Sequence, residues 1–411
     1  MNVELQINNS TSPDAGFLGW VPSPCRIRVT NPSGAPGPTV SLQLNGNTAA
    51  GGGQVVFRAG STGSFSANIT LTVPTNGATV PFFAAGKFGQ PSSTSGDVAI
   101  EVRSGSTLVS SIPVMVRIRK NANTLAAAER DRFVAAFAKL NDQGRGRFRD
   151  FRDMHVQVSL PQAHGAPGFL PWHRAYLLDL ERDLQAIDSS VSLPYWRFDQ
   201  PAPNIFTADF LGESDATGAV HFSPTNPLQF WRTDGQLGFP RSPRWSPLTV
   251  QPPGLLDEMQ TFNLGGTSSI FKSFRTMEGN PHGYAHTSFS GPINNPATAP
   301  KDPLFFLLHC NVDRLWAKWQ RKSSRFDPTV AASFDQNPAS RPGHKLDDTM
   351  WPWNGVTGNT RPPTAPGGPM SASPRVSAPG PQPQVRDMLD YQGSISAISW
   401  LGFDYDDVPF A

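Results

Sequence analysis

Residues 155–185 read HVQVSLPQAHGAPGFLPWHRAYLLDLERDLQ and contain three histidines, His155, His164 and His173. Glycines and prolines lie between His164 and His173, and they exclude one continuous helix that carries both side chains. We therefore expect His164 on a loop. A proline two residues before His173 suits the first turn of a helix with an apolar face, and His155 would come from the preceding helix.

A second group of three histidines lies further along the chain, in NPHGYAH (280–286) and DPLFFLLHCNVDRLWAKWQ (302–320). His282 and His286 are four residues apart, so a helical segment would project both imidazoles from one face. His309 lies in a largely apolar run that is typical of a buried helix. A zinc protease would need glutamate directly after the first histidine of the pair, and Gly283 occupies that position, so this chemistry is disfavoured.

These two groups hold six of the eight histidines in the chain. A single histidine of this kind is more often a hydrogen-bonded core residue, but two groups of three predict metal ligation. Three neutral imidazoles per ion, without carboxylate or thiolate, suit a borderline transition metal and disfavour magnesium, calcium and di-iron sites. Copper and zinc both remain open. Two ions roughly 3.5–4 Å apart could hold a small ligand between them, which for copper would be dioxygen.

The composition excludes several classes of function. Lys and Arg number 34 against 32 Asp and Glu, and 16% of the 411 residues are charged, below the roughly 25% of average domains. This balance argues against nucleic-acid partners and polybasic membrane surfaces. The start, MNVELQINNSTSPDAG, has neither the basic nor the apolar stretch of a signal peptide. We therefore expect a cytoplasmic protein without a membrane partner, in which Cys25 and Cys310 are reduced thiols.

Residues 1–115 have the composition of a β-rich module. They are rich in Gly, Ser, Thr, Pro and Asn, and runs such as Val40, Leu42 and Leu44 alternate apolar and polar positions. Alternation between turn clusters is typical of half-buried antiparallel strands, and about seven such runs predict an all-β sandwich of immunoglobulin-like architecture. The segment contains no histidine. We expect a spacer or folding aid, with a carbohydrate-, polymer- or partner-binding module as the alternative.

The remainder, residues 116–411, has the pattern of a mainly α domain, which makes this a multidomain chain. NTLAAAERDRFVAAFAKLND (123–142) places apolar residues at helical spacing. Residues 355–385 are Pro-rich without periodicity and predict an irregular loop. The last segment, 386–411, again contains apolar and aromatic residues that are typical of packed structure.

The histidine motifs carry a specific resemblance. HGAPGFLPWHR with the upstream His155, and NPHGYAH followed by DPLFFLLHCNVDRLWAKWQ, resemble the two copper-binding motifs of the tyrosinase and catechol oxidase (polyphenol oxidase) family of type-3 copper proteins. The similarity covers residues 116–411 and leaves the N-terminal module outside. It implies a central four-helix bundle that holds two copper ions with O2 bridging them. By this resemblance copper A is bound by His155, His164 and His173, and copper B by His282, His286 and His309.

Three positions beside these ligands depart from patterns found in the family. Many members have a histidine directly before the last copper B ligand, where this chain has Leu308. Some members form a thioether between a cysteine and the second copper A ligand, but Gln162 stands at the cysteine position, so no crosslink is predicted. Cys310 follows the last ligand, and we expect a small buried apolar side chain there without a redox role.

The resemblance also implies three residues that act on the substrate. Glu278 matches the acidic partner of a water that removes the phenol proton, and Gly283 stands where phenol-hydroxylating members often have asparagine to hold that water. Phe305 resembles the residue that lies over copper A and limits access. Because Gly283 lacks a side chain, we expect proton removal from a monophenol to be weaker than from a catechol.

Four further residues have secondary roles in this interpretation. His221 and His344 fit neither copper motif, and we expect ordinary surface or hydrogen-bonding roles for them. Tyr391 and Tyr405 resemble the terminal tyrosine motif that docks the end of the chain onto the start of the domain.

The resemblance implies an enzyme that uses O2 to oxidise o-diphenols to o-quinones, with monophenol hydroxylation as a second activity. Two alternatives stay open: an o-aminophenol oxidase that uses the same site, and an oxygen carrier of hemocyanin type. The expected partners are small phenols and O2. The physiological phenol and the oligomeric state do not follow from the sequence.

Overall fold

The computed structural model describes residues 1–336 and 341–410, and the chain forms two compact units. The first unit contains residues 1–118, 373–376 and 402–410. The second contains residues 119–372 and 377–401. Ala411, the last residue of the predicted C-terminal segment, lies outside the described residues. The predicted boundary between residues 115 and 116 stays a prediction.

The first unit is built from strands, which are β1 Asn2–Ile7, β2 Phe17–Leu18, β3 Ser23–Asn31, β4 Thr39–Thr48, β5 Val55–Arg58, β6 Asn68–Pro74, β7 Val80–Gly86, β8 Val98–Ser104 and β9 Thr107–Val116. They form a four-stranded sheet in the order β1-β3-β7-β5 and a five-stranded sheet in the order β2-β9-β8-β4-β6. All pairs are antiparallel except β2 with β9. The β-rich character expected for this part of the chain is confirmed.

The apolar alternation seen in the sequence forms the core of this unit. Val40, Leu42 and Leu44 on β4 are buried while their neighbours are exposed, and Leu42 pairs with Leu71 on β6. Ile27 of the other sheet belongs to the same buried cluster. Burial of each such side chain contributes about 1.5–3 kcal/mol relative to an exposed position, so the two sheets stabilise each other.

The end of the chain returns to this unit. Trp20 donates its backbone N–H to Asp404 Oδ2 at 2.9 Å and its indole N–H to the carbonyl of Tyr405 at 2.8 Å. The Arg117 guanidinium lies 4.4 Å from the centre of the Phe17 ring. Residues 402–410 therefore belong to the first unit by contact, although they follow the second in sequence.

The second unit is mainly helical. Its helices are α1 Ala127–Asn141, α2 Phe148–Met154, α3 Leu160–Ala163, α4 Phe169–Ile187, α5 Glu258–Asn263, α6 Phe271–Phe274, α7 Tyr284–Thr287 and α8 Leu304–Ser323. Short strand pairs lie between them, namely β10 Glu213–Ser214, β11 Val220–His221, β12 Arg232–Thr233, β13 Gln236–Leu237, β14 Ser242–Pro243 and β15 Phe289–Ser290. Residues 355–383 contain neither helix nor strand, as their composition predicts. Among the described residues, none of the helices has the length and apolar character needed to cross a membrane.

Helices α4 and α8 form the centre of this unit and are buried over most of their length. Their buried charges are paired: Arg174 Nε donates to Asp313 Oδ1 at 2.6 Å. Arg119 donates to Glu181 Oε2 at 2.7 Å and to Asp313 Oδ2 at 3.2 Å. Removal of one partner from such a pair costs about 3–5 kcal/mol, because the other charge stays buried without compensation. This network holds the two central helices in register.

Candidate dinuclear metal centre

The first triad consists of His155, His164 and His173, each held at the end or start of a helix. His155 caps the C-terminus of α2, and His164 follows α3 in an extended conformation with φ −135° and ψ 161°. His173 lies near the start of α4. The Nε2 atoms of His155 and His164 are 2.9 Å apart, and the three potential ligand atoms lie within 4.8 Å of one another. The expected placements of all three side chains are confirmed.

The second triad consists of His282, His286 and His309. His282 lies in a single π-helical turn, Gly279–Gly283, that runs directly into α7, which carries His286. The Nε2 atom of His309, on α8, is 3.3 Å from Nε2 of His282 and 3.1 Å from Nε2 of His286. These ligand atoms also lie within 4.8 Å of one another.

The two triads face each other. The rings of His173 and His309 stack with centroids 4.2 Å apart and an angle of 16° between their planes. The ring centroids of His164 and His282 are 6.0 Å apart. The sequence therefore brings together all six predicted ligands at one place in the second unit.

In five of the six imidazoles, Nδ1 makes a hydrogen bond that fixes the orientation of the ring. Four Nδ1–H groups donate to backbone carbonyls, from His155 to Pro296 at 2.7 Å, His173 to Phe169 at 2.8 Å, His282 to Glu278 at 2.7 Å and His286 to Ile293 at 2.7 Å. His164 Nδ1 donates to Glu278 Oε1 at 3.0 Å. Each of these bonds places the proton on Nδ1 and leaves the Nε2 lone pair directed inward, as in metal-bound histidines.

Burial keeps the imidazoles neutral. It lowers the pKa of His155, His173, His282 and His309 well below the ordinary value and that of His286 to about 4, and neighbouring imidazoles add to the shift in each case. The buried Nε2 of His173 has no hydrogen-bond partner among the described residues. Inward lone pairs at this separation repel each other unless a cation lies between them. The residues present therefore fit two ions of a borderline transition metal.

Glu278 links the two triads. Its carbonyl accepts from His282, while its side-chain Oε1 accepts from His164 Nδ1 and from the backbone N–H of Gly165 at 2.9 Å. Among the described residues Oε2 accepts no hydrogen bond. The carboxylate expected beside the site is thus present, and one of its oxygens orients a histidine of the first triad.

Gly283 lies directly after His282 and is partly exposed. A Cβ atom at this position would lie 3.3 Å from the carbonyl oxygen of Glu278, a close contact that a small backbone shift relieves. A side chain at this position therefore requires a small displacement of the carbonyl that holds His282.

Phe305 is fully buried between the triads. Its ring centroid lies 4.1 Å from that of His309 and 5.0 Å from that of His155. Because none of its surface reaches solvent, it forms the floor beneath the imidazoles. Its burial gives no support to the expected role at an entrance over the first triad.

The three residues that differ from the family patterns are all buried near the histidines, and His344 makes contacts that the sequence does not predict. Gln162 is buried two residues before His164, and Leu308 and Cys310 are buried on α8. His221 is exposed and lies 2.7 Å from Asp215 Oδ2. His344 is fully buried and bonded to both ends of the loop that carries His164. Its position 180 residues downstream gives no local signal of this contact.

The chain is similar to several known proteins. The family model "Common central domain of tyrosinase" matches residues 145–322. A tyrosinase from Streptomyces glaucescens is 34% identical over 264 residues, which cover 58% of this chain and 92% of that protein. Grixazone synthase from Streptomyces griseus subsp. griseus is 30% identical over 51% of this chain and 85% of its own length. A functional unit of octopus hemocyanin is 21% identical with a TM-score of 0.48, over 72% of this chain and 69% of its own.

The two adjacent sets of three imidazoles define a dinuclear metal protein. The chain belongs to the tyrosinase family, with a tyrosinase-like fold that combines an N-terminal β-rich region and a helical core. It is a type-3 copper oxidoreductase whose cofactor is a pair of copper ions, and it oxidises phenolic substrates with O2.

Proposed function

We propose that the first triad binds copper A, that the second triad binds copper B, and that the enzyme oxidises o-diphenols to o-quinones. The convergence of six Nε2 atoms supports the ligand assignment, since each triad brings its nitrogens within 4.8 Å. The preference for diphenols is supported by one observation. Gly283 offers no side chain to hold a water beside Glu278, whose Oε1 is already engaged by His164 and Gly165.

The copper pair supplies O2 binding and the electron transfer from substrate to oxygen. The protein holds the six imidazoles neutral and directed inward, so that no proton must leave a ligand when the metal binds. Phe305 and the surrounding core exclude water from the inner face of the site. The substrate therefore approaches from the side where His164 and Glu278 are partly exposed.

Glu278 is the proposed proton acceptor. Oε1 is bonded to His164 and Gly165, and Oε2 is the oxygen that a phenolic O–H can reach directly or through one water. A catechol hydroxyl bound beside this oxygen gives up its proton as the ring is oxidised. A monophenol must lose its proton before oxygen is inserted into the ring. An ordered water beside Glu278 would speed this proton transfer, but Gly283 has no side chain to hold such a water.

Parallel assays of the copper-loaded full chain with catechol, tyrosine and 2-aminophenol test the proposal. We expect oxygen uptake with catechol to be at least about tenfold faster than with tyrosine, because a positioned proton acceptor contributes roughly 10²–10⁴ in rate where it is complete. A faster reaction with tyrosine would assign a monophenol hydroxylase, and a faster reaction with 2-aminophenol an aminophenol oxidase. Reversible oxygen binding without turnover would assign an oxygen carrier.

The variant Gly283→Asn tests the role of the missing side chain. We expect the tyrosine-to-catechol rate ratio to rise several-fold, because the amide can hold a water beside Glu278. Gly279→Asn is the matched control, since it places the same side chain one turn earlier, where a Cβ meets no atom within 4 Å. An unchanged ratio in Gly283→Asn, or an equal rise in the control, would contradict this account.

The finer architecture is also part of the proposal. We infer an immunoglobulin-like sandwich in the first unit, supported by its two sheets with a common buried core. We infer a four-helix bundle around the metal centre, supported by the positions of the six histidines on or beside α2, α4, α7 and α8. The cytoplasmic location and the boundaries 1–115 and 116–411 stay predictions.

A further inference from the structure

His164 is the least buried of the six histidines and the one that depends on a loop. Its side chain is 17% exposed, whereas the other five residues are at most 7% exposed. It lies in the short connection between α3 and α4, where Gly165 has a left-handed φ of +68°. Fixing a loop residue in one conformation costs backbone entropy, which contacts with the rest of the fold must offset. Some part of the fold must therefore hold this connection.

His344 contacts both ends of that connection. Its Nδ1 accepts from the backbone N–H of Gly168 at 3.0 Å, and its Nε2–H donates to the carbonyl of Pro161 at 2.9 Å. The first bond requires an unprotonated Nδ1 and the second a protonated Nε2, so one neutral tautomer satisfies both. Burial lowers the pKa of His344, which favours the neutral form that this bridge uses.

Two glycines allow the close approach of the two segments. A Cβ at Gly168 would lie 2.5 Å from His344 Nδ1 and 2.6 Å from the carbonyl oxygen of Gly343. A Cβ at Gly343 would lie 2.8 Å from Gln162 Oε1, and this glycine has a φ of +94°. A side chain at Gly168 would collide with a backbone atom, and a side chain at Gly343 would be strained by the left-handed φ and would displace Gln162.

Two arginines extend the contact along the same loop. Arg361 Nη1 donates to Gln162 Oε1 at 2.7 Å, and Gln162 Nε2 donates to the carbonyl of Thr360 at 3.3 Å. Arg341 Nη2 donates to the carbonyl of His164 itself at 3.4 Å. Residues 341–361 thus hold the loop at Pro161, Gln162, His164 and Gly168.

We propose that residues 341–361 act as a non-covalent clamp on the copper A loop, with His344 as the positioning residue that fixes His164. Gln162 lies two residues before His164 and is itself held by Arg361, so the clamp acts directly beside the ligand. The inference rests on the proposed function, because it takes His164 as a ligand of copper A. It assigns a task to a segment that the histidine motifs do not include.

Copper binding by the full chain tests this proposal. For His344→Ala we expect one of the two copper equivalents to bind roughly 10–100-fold more weakly, the usual effect of removing a group that orients a ligand. His344→Gln retains a donor and an acceptor and should lose less. His221→Ala, which removes an exposed histidine of the same unit, is the matched control and should bind both coppers as the wild type does.

A second readout separates positioning from a general loss of structure. In the copper-free protein, hydrogen exchange of the 161–168 amides should accelerate in His344→Ala, while amides of α8 keep their protection. After loss of the weaker copper, the remaining Cu(II) should give the same EPR spectrum as in His164→Ala. Should His344→Ala fail to fold, Gln162→Leu removes the bond to Arg361 and should produce the same selective loss.

The outcomes distinguish this inference from the proposed function. His344→Ala and Gln162→Leu that fold and bind both coppers with wild-type affinity would overturn the clamp. Equal weakening of both coppers would also overturn it. If His164→Ala retains two copper equivalents at wild-type affinity, the ligand assignment itself fails.

Discussion

The two triads are held in different ways. In the second triad, His282 and His286 donate to carbonyls only four and seven residues away, and all three side chains are buried. His309 makes no hydrogen bond through Nδ1 among the described residues and is held by the stacked rings of His173 and Phe305. The second triad is therefore fixed by its own helices and by packing.

The first triad depends on distant parts of the chain. His155 donates to a carbonyl 141 residues away, and His164 to a carboxylate 114 residues away. Only His173 donates locally, to the carbonyl one turn earlier on α4. The first triad thus depends on the segments around residues 278 and 296 for its hydrogen bonds, and its loop on the segment around residue 344. Two histidines of the second triad are instead held within residues 278–293.

The largest effect is expected from a residue that serves both triads. Asp313 lies one turn after His309 on α8 and pairs with Arg174, which directly follows His173 on α4. In Asp313→Ala the free energy of unfolding should fall by about 3–5 kcal/mol, because buried Arg174 loses its carboxylate partner and Arg119 keeps Glu181 as its counter-charge. Urea unfolding measures this loss, and copper affinity should weaken at both sites.

Asp131→Ala is the control for this variant. Its side chain is 61% exposed and pairs with Arg130 at the surface, so the change should be within about 0.5 kcal/mol. A loss in Asp313→Ala no larger than in the control would show that the network does not couple the two helices.

Removal of the Glu278 side chain should affect the first triad alone. In Glu278→Ala, His164 loses the acceptor that orients its ring, and copper A should bind roughly 10–100-fold more weakly. The carbonyl of Glu278, which holds His282, is unchanged by the substitution. Glu278→Gln keeps an acceptor oxygen for His164, so the variant should retain most of its copper affinity. Its turnover of catechol should fall, because the amide cannot accept the phenol proton. Equilibrium dialysis with copper measures the first effect and oxygen uptake the second.

If both coppers weaken equally in Glu278→Ala, the carboxylate does not act selectively on the first triad. Undiminished turnover in Glu278→Gln would exclude this residue as the proton acceptor.

The clamp on the first triad should be sensitive to acid. Burial lowers the pKa of His344 from its ordinary value of about 6.5. The hydrogen bond to the Pro161 carbonyl opposes this shift, as does Asp348, while Arg341 and Arg361 add to it. As pH falls below 6.5, the unfolded chain takes up a proton that the folded chain does not, so this residue's contribution to stability declines.

His344→Gln isolates that contribution. The difference in unfolding free energy between wild type and variant, measured on copper-free protein, should shrink by up to about 1.4 kcal/mol per pH unit below 6.5. A difference independent of pH between 7 and 5 would contradict the neutral state assigned to folded His344.

The smallest effect is expected at Cys310, which is adjacent to His309. Its Sγ lies 3.5 Å from the carbonyl oxygen of Leu193, and successive side chains are turned by about 100° around a helix, so it leaves α8 in a different direction from His309. Cys310→Ala should cost about 1 kcal/mol from lost packing and leave both copper affinities within twofold. Elemental analysis measures the copper content. Loss of a copper ion from this variant would contradict the assignment of Cys310 as a packing residue without a role at the metal centre.

The sequence predicts the ligands better than it predicts what holds them. Three features of the sequence indicate placements that the structure has. They are the helix-breaking glycines and prolines after His164, the four-residue spacing of His282 and His286, and the apolar run around His309. These signals are local and follow from helix geometry. The alternation in β4 likewise predicts its buried face.

The partners of the imidazoles leave no such signal. The carbonyls of Pro296 and Ile293 belong to the backbone, so their residue types carry no information about the contact. His344 looks like an isolated histidine until the chain folds. Strands of two and four residues, β2 and β5, are too short to show alternation, which explains why the sequence predicts about seven strands in residues 1–115 while the described part of the first unit has nine.

The most direct test of the dinuclear centre is an anomalous difference map, recorded at the copper edge, from a crystal of the copper-loaded full chain. We expect two peaks, one bound by the Nε2 atoms of His155, His164 and His173 and the other by those of His282, His286 and His309. A single peak shared between the triads, or a peak outside them, would contradict it.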